Sequence, residues 1–240
     1  MKTKRAKLCG DFLALSSDNW TDICSYLTQE EFLALIRVSK QLYETLCCPQ
    51  VMKQIQWTIK HKFLKGVSIG IESLCTTFEK RHLKFLNIGL DMRESGLSVE
   101  SVVKICCVLP ESVTSLDLRG NSIGVEGGKW IGKALEQNKS LTSLNLSCNS
   151  IGVEGGKWIG KALEQNNSLT SLDLSINQIG DDGAKWIAKA LGQNKSLTVL
   201  DLSNNSIEDD GAKCIFEALE KNTSLTSLYL GHNRIKLGQL

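Results

Sequence analysis

The sequence predicts an α/β fold in which repeated strand–helix units form a solenoid behind an all-helical N-terminal unit. An eighteen-residue string, NSIGVEGGKWIGKALEQN, occurs at Asn121–Asn138 and again, letter for letter, at Asn149–Asn166. A leucine recurs at a constant step of 28 residues, at Leu116, Leu144, Leu172, Leu200 and Leu228. A fixed period between about 20 and 50 residues is typical of solenoids, in which each unit packs mainly against its neighbours.

Each unit changes from strand periodicity to helix periodicity. LTSLNLSCNSI at 141–151 alternates apolar with polar residues, whereas VEGGKWIGKALEQN at 153–166 has apolar residues at helical spacing. Acidic residues at the helix start suit the positive end of the helix dipole. They are Glu126, Glu154, Asp181, Asp182, Asp209 and Asp210. Asparagines at the helix end are predicted to be left-handed caps. These are Asn138, Asn166, Asn194 and Asn222.

A second asparagine recurs just after each strand. Where a chain leaves a strand in a buried bend, backbone donors and acceptors need partners, and an asparagine side chain carries both a carbonyl and an amide. The pattern therefore predicts a buried structural ladder rather than an active-site residue. Its members are Asn121, Asn149, Asn177, Asn205 and Asn233.

The pattern LxxLxLxxNxI followed by GxxGAKxIxxAL resembles the leucine-rich repeat of the ribonuclease-inhibitor type, over about Leu86–Leu240. The resemblance implies a right-handed solenoid with parallel strands on its concave side and helices on its convex side. It also implies that partners bind the concave side. Gly128 stands where the third unit has Ala184. Because glycine weakens a helix by about 0.5–1 kcal/mol, we expect Gly128→Ala to raise the melting temperature.

The remaining sequence divides into a helical module at 1–50 and a connector at 51–83, ahead of the solenoid at 84–240. Apolar residues at helical spacing predict three short helices in the module, the second starting at a capping box formed by Thr28 and Glu31. The connector is apolar at Ile55, Trp57, Ile59 and Phe63, which predicts a packed helix.

The segment LSSDNWTDICSYLTQEEFLALIRVSKQL at 15–42 resembles an F-box. It departs from that family where Ser16 replaces a proline, Asn19 an apolar residue and Leu42 a tryptophan. The resemblance implies docking on a Skp-type linker of a cullin–RING ubiquitin ligase. Carried over, the docking residues are Leu15, Ser16, Trp20, Ile23, Leu27 and Phe32. The alternative is that these residues form only the core of a helical cap on the first repeat.

Composition and motifs argue against several other functions. The net charge is only +2, and no apolar run approaches the roughly 20 residues of a membrane span, so neither nucleic acid nor a membrane is an expected partner. Nine cysteines without a CxxC pair indicate reduced thiols in a cytoplasmic protein. The three histidines are widely separated, and neither a nucleotide-binding loop nor a nucleophile motif occurs. We therefore expect no enzymatic activity, no metal and no cofactor.

Side chains between the inward leucines are predicted to face a protein partner, since they vary while the helices are copied. The candidates are Asp117, Arg119, Asn145, Asp173, Ile176, Asp201, Asn204, Tyr229 and His232. The alternative is that they serve solubility alone. A helix column of Trp130, Trp158 and Trp186 is expected to fill gaps between neighbouring helices, or else to form an exposed aromatic ridge.

These features together predict an adaptor that docks a ubiquitin-ligase linker at one end and recruits an unknown substrate protein with its repeats. The alternative is a stand-alone leucine-rich-repeat protein that binds or masks a partner. Such adaptors resemble both eukaryotic ligase subunits and effectors that intracellular bacteria deliver into the host cytoplasm, and the near-perfect copies indicate recent duplication.

Overall fold

The computed structural model describes residues 56–60, 87–94, 96, 97, 99, 102, 105 and 113–236. Most of the connector, the whole helical module and its docking residues lie outside the described part, as does the beginning of the predicted solenoid. The predictions made for Leu15, Ser16, Trp20, Ile23, Leu27 and Phe32 therefore stay predictions.

Strands and helices alternate through the described repeats. The strands are β1 (Gln56–Lys60), β2 (Asn87–Asp91), β3 (Val113–Asp117), β4 (Ser143–Asn145), β5 (Ser171–Asp173), β6 (Val199–Asp201) and β7 (Ser227–Tyr229). The helices of the repeats are α1 (Gly124–Gln137), α2 (Gly152–Leu163), α3 (Gly180–Leu191) and α4 (Asp209–Leu219). All seven strands pair in parallel in one sheet, in chain order from β1 to β7. This confirms the predicted α/β solenoid architecture of the repeats.

The predicted helix in the connector is wrong for residues 56–60. These residues form β1, in which Trp57 pairs with Ile88 and Ile59 pairs with Leu90 of β2. The segment QWTIK alternates polar with large apolar residues, a period of two that suits a strand. The sheet therefore reaches further towards the N-terminus than the 28-residue period indicates.

The leucines that define the period lie in register and form the core. Leu116, Leu144, Leu172, Leu200 and Leu228 are adjacent across the sheet. The first four are at most 2 % exposed, and the leucines two positions later in the first four units are fully buried. Those later leucines are Leu118, Leu146, Leu174 and Leu202. In each of these units, leucines thus lie on both sides of one outward residue, which is how the sequence pattern places polar side chains on the opposite surface.

The predicted asparagine ladder is confirmed. Asn177 is fully buried, and its Oδ1 accepts hydrogen bonds from the backbone N–H of Asn149 (3.1 Å) and Ile151 (3.3 Å). Its Nδ2 donates to the carbonyls of Leu146 (2.8 Å) and Leu174 (3.0 Å). One side chain therefore joins its own bend to the bend of the preceding unit.

The helix-end asparagines are not left-handed caps, and this prediction is wrong. Asn138 has φ −74° and ψ 130°, and within the described residues none of the four has a positive φ. They form a second ladder instead: Asn166 Nδ2 donates to the carbonyls of Leu135 (2.7 Å) and Asn138 (3.1 Å). Its Oδ1 accepts from the N–H of Leu169 at 2.9 Å. Asn166, Asn194 and Asn222 thereby each satisfy a carbonyl at the end of the preceding helix.

Glycines in the helices allow neighbouring helices to approach closely. A Cβ on Gly128 would lie 2.8 Å from Cγ2 of Ile151 and 3.1 Å from Cα of Gly155 in α2. These contacts argue against the expectation that Gly128→Ala raises the melting temperature, because the packing conflict opposes the gain in helix propensity.

A second set of helix glycines faces the helix backbone of the following unit, at the position of its tryptophan. A Cβ on Gly132 would lie 2.7 Å from the carbonyl oxygen of Trp158, and a Cβ on Gly160 would lie 2.8 Å from the carbonyl carbon of Trp186. In the third unit this position is Ala188, and the fourth unit has Cys214 where the others have tryptophan.

Candidate protein-binding surface

The outward side chains of the strands form one surface, which we call the strand face. Its central row consists of residues that pair directly across the sheet, namely Asp117, Asn145, Asp173, Asp201 and Tyr229. The first four are half-buried, whereas Tyr229 is 53 % exposed. The backbone pairing therefore holds these five side chains side by side at the spacing of neighbouring strands, about 4.8 Å.

The aspartates of this row are oriented by the turn that follows each strand. Asp173 Oδ1 accepts hydrogen bonds from the N–H of Ser175 at 2.9 Å and from its hydroxyl at 2.7 Å. Asp201 Oδ1 accepts from the N–H of Ser203 at 2.8 Å. Asn145 Oδ1 makes the same two contacts with Ser147, at 2.9 Å and 2.8 Å. An asparagine therefore replaces an aspartate at this position without losing the turn.

The charges differ between the two ends of the strand face. Arg93 lies 2.8 Å from a carboxylate oxygen of Asp91 and 3.6 Å from one of Asp117. Hydrogen bonding to Asp91 raises the pKa of the Arg93 guanidinium. Burial raises the pKa of the Asp117 carboxyl, while the N–H of Arg119 and the charge of Arg93 act in the opposite direction. Near the N-terminal end, acidic groups thus have cationic neighbours.

A further row lies three residues beyond the central one and has left-handed backbone. Gly120, Cys148, Ile176, Asn204 and His232 have φ between 56° and 68°. The N–H groups of the first four donate to the next unit, as in the bond from Ile176 to the carbonyl of Ser203 at 2.9 Å. Sequence reasoning placed these residues on the surface but did not detect the positive φ, although Gly120 and Asn204 are residue types that favour it.

All nine residues predicted to contact a partner lie on the strand face or its adjoining turns. Arg119, Ile176, Asn204, Tyr229 and His232 are exposed, and the other four are half-buried. Their location is thus as expected, and their role in binding stays a prediction.

The tryptophan column on the helices is neither fully buried nor fully exposed. Trp130, Trp158 and Trp186 are half-buried. Lysines stack on them: Lys133 Nζ is 4.4 Å from the ring centre of Trp130, and Lys161 Nζ is 4.9 Å from that of Trp158. Lys161 is also 5.3 Å from the ring of Trp186, so the lysines bridge neighbouring units. Such cation–π contacts and partial burial indicate mainly a packing role.

We expect Trp158→Ala to lower the free energy of unfolding by about 2 kcal/mol, because the burial of part of a large indole ring and two cation–π contacts with lysines are lost. Chemical denaturation measures this change. Phe216→Ala is the control, since Phe216 is a 42 % exposed aromatic residue of α4, and its removal is expected to cost less. Equal effects of the two substitutions would contradict the packing role.

Other kinds of site receive no support from the described residues. Within that part of the chain, no three His, Cys, Asp or Glu side chains are grouped so as to hold a metal ion. Cys148 and Cys214 are half-buried free thiols. None of the described helices has the length and apolar character needed to cross a membrane.

Comparisons with known proteins agree with this geometry. The sequence model of a family described as leucine-rich repeat matches residues 110–132, 137–160, 165–188, 193–216 and 221–236. A comparison with curated protein sequences gives no significant match. A solved structure described as leiomodin-1 actin-binding site 2 is similar with a TM-score of 0.53 and 23 % identity, over 64 % of this chain and 90 % of that one. At this identity the likeness concerns the fold alone. The match positions follow the strands and helices described above, and residues 110–236 are therefore a leucine-rich repeat region.

Proposed function

We propose that the chain is a protein-binding adaptor whose N-terminal segment docks a Skp-type linker of a cullin–RING ubiquitin ligase. In this proposal the strand face recruits the substrate protein. Leucine-rich repeats imply protein–protein binding in general. The adaptor role rests in addition on the F-box-like sequence at 15–42.

One observation carries the recruiting role: the strand face differs between units that are otherwise copied. The first two units share eighteen consecutive residues on the helix side, but on the strand side Asp117 is replaced by Asn145, and the exposed Arg119 is replaced by the buried Ser147. The buried residues of the copied string pack against neighbouring units, so packing restricts those positions. The outward positions of the strands hold Asp, Asn and Tyr, so their side chains differ between units where the buried leucines do not.

The adaptor role is tested by co-expressing the full chain with a Skp-type linker protein and separating the products by gel filtration. We expect an equimolar complex, and we expect Ile23→Asp to abolish it because a charge would enter an apolar contact. Tyr229→Ala is the control, since Tyr229 lies on the strand face and is expected to leave linker binding unchanged.

The circular dichroism of Ile23→Asp shows whether its repeats are still folded. A complex that forms equally well with Ile23→Asp, or a failure of the unsubstituted chain to bind the linker, would contradict the adaptor role.

The second candidate is a stand-alone cytoplasmic protein that binds or masks a partner with its repeats, including an effector placed in a host cytoplasm. The observation that favours it is the set of departures from the F-box pattern at Ser16, Asn19 and Leu42. Under this proposal the N-terminal segment only caps the solenoid. In both proposals the chain binds proteins and performs no chemistry of its own.

A further inference from the structure

Ile176 is held in an unfavourable state in two respects. It has φ 57°, where the other described units have Glu, Gly, Cys, Asn or His, and its side chain is 50 % exposed. A β-branched residue with positive φ is an outlier, because its side chain crowds the backbone. Exposure of a large apolar side chain gains nothing for folding. The bend imposes positive φ on this position in every described unit, so what distinguishes Ile176 is a β-branched and exposed side chain there. Both properties lower the stability of the free protein.

The neighbours of Ile176 form an array of two rows on the C-terminal half of the strand face. The first row is Asp173, Asp201 and Tyr229, which pair across β5, β6 and β7. The second row is Ile176, Asn204 and His232, linked through the backbone bonds from Ile176 to Ser203 and from Asn204 to Gly231, both 2.9 Å. The array thus spans two strand spacings, about 10 Å, with an exposed apolar side chain at opposite corners.

The carboxylates of the array have no counter-ion of their own. Asp173 and Asp201 pair directly across β5 and β6, and in the described part of the chain no basic side chain forms an ion pair with either. Each is held by serine through Oδ1. Two like charges on adjacent strands repel one another. This arrangement contrasts with Asp117, which has Arg93 beside it.

We propose that this array docks a segment of a partner protein in which a lysine or arginine stands beside an apolar side chain. The basic group would lie against Asp173 and Asp201 and relieve their repulsion, while the apolar group would cover Ile176 or Tyr229. Charge complementarity and the two exposed apolar side chains define this occupant. The inference rests on the proposed protein-binding role and does not depend on linker docking.

The substitutions that test the array are expected to preserve the fold. Ile176→Asn introduces the residue found at the same position in the next unit, Asn204, and asparagine tolerates this backbone conformation. Asp173→Asn combined with Asp201→Asn keeps the serine contacts, as Asn145 shows. The control is Val153→Asn, because Val153 is a 41 % exposed apolar residue at the start of α2, away from the array.

The probe is a display library of random 12-residue peptides, from which binders are selected on the full chain. The selected peptides are labelled with fluorescein, and their affinities are measured by fluorescence anisotropy. We expect the selected peptides to contain Lys or Arg next to an apolar residue. Their affinity is expected to fall about tenfold or more with Ile176→Asn and with the double aspartate change, and to be unaffected by Val153→Asn. Ile176→Asn is also expected to raise the melting temperature, so lost binding is not lost folding. Raising the salt concentration should weaken binding to the unsubstituted chain more than binding to the double variant.

Three outcomes would overturn the inference. The library could yield no enriched peptides, the selected peptides could lack a basic residue, or all variants could bind the selected peptides equally well. If the selected peptides lost affinity with Trp158→Ala instead, their binding site would lie on the helix side. That last result would refute the array while leaving a protein-binding function in place. Failure of the linker experiment would bear only on the adaptor role.

Discussion

Asn177→Ala is expected to lower the free energy of unfolding by about 4 kcal/mol, because the two backbone N–H groups that its Oδ1 accepts from would be left without a partner in the interior. The carbonyls of Leu146 and Leu174 would lose the amide as well. Each buried unpaired group costs about 1–3 kcal/mol, and the losses fall on two adjacent units. The melting temperature is expected to fall by about 10 °C.

Thermal unfolding and urea titration, both followed by circular dichroism, measure this effect. Asn167→Ala is the matched control, since Asn167 is exposed whereas Asn177 is fully buried. We expect the control to change stability by about 0.5 kcal/mol or less. If both substitutions were equally mild, the ladder would not contribute to stability in the way its hydrogen bonds indicate.

Gly160→Ala is expected to destabilise the protein by about 1–3 kcal/mol, although alanine favours helix formation more than glycine. The new Cβ would lie 2.8 Å from the carbonyl carbon of Trp186 and 3.1 Å from the backbone nitrogen of Ile187. These atoms belong to the backbone of α3, so they cannot turn aside as the end of a side chain does. The two helices would have to separate.

Gly192→Ala is the control for this prediction and is expected to act in the opposite direction. Gly192 has φ −58° and ψ −21°, and a Cβ there would lie at an ordinary 3.5 Å from the carbonyl oxygen of Lys189. Alanine should therefore stabilise by about 0.4–1 kcal/mol through the unfolded state. Differential scanning calorimetry measures whether each substitution raises or lowers the melting temperature. A rise with Gly160→Ala would contradict the close approach of α2 and α3.

Features that repeat within one unit were predictable from the sequence. The period of Leu116 and its equivalents indicated the strands, and the switch to helical spacing indicated the helices. The asparagine after each strand was predictable because its hydrogen-bonding capacity matches what a buried bend needs. The strand face followed from the same alternation, which is why Asp173 and Ile176 lie where they were expected.

Features that depend on contacts between units were not predictable in this way. Within its own unit, Gly128 is simply a residue of low helix propensity. Only the positions of Ile151 and Gly155 in the next unit show that a side chain has no room there. Asn166 reads as a local cap, but its amide donates to carbonyls of the preceding unit. The strain at Ile176 was also missed, because a backbone angle has no direct signal in a single sequence.

The glycines at the helix contacts set how closely successive units stack. Gly132 faces the backbone of α2 at Trp158, and Gly160 faces the backbone of α3 at Trp186, so neither position has room for a Cβ. The second unit thus offers helix backbone to the unit before it and a glycine to the unit after it. Another copy of this unit inserted between the first and third units would therefore meet a glycine on one side and helix backbone on the other. Duplication at this place lengthens the array without requiring a change in the neighbouring units.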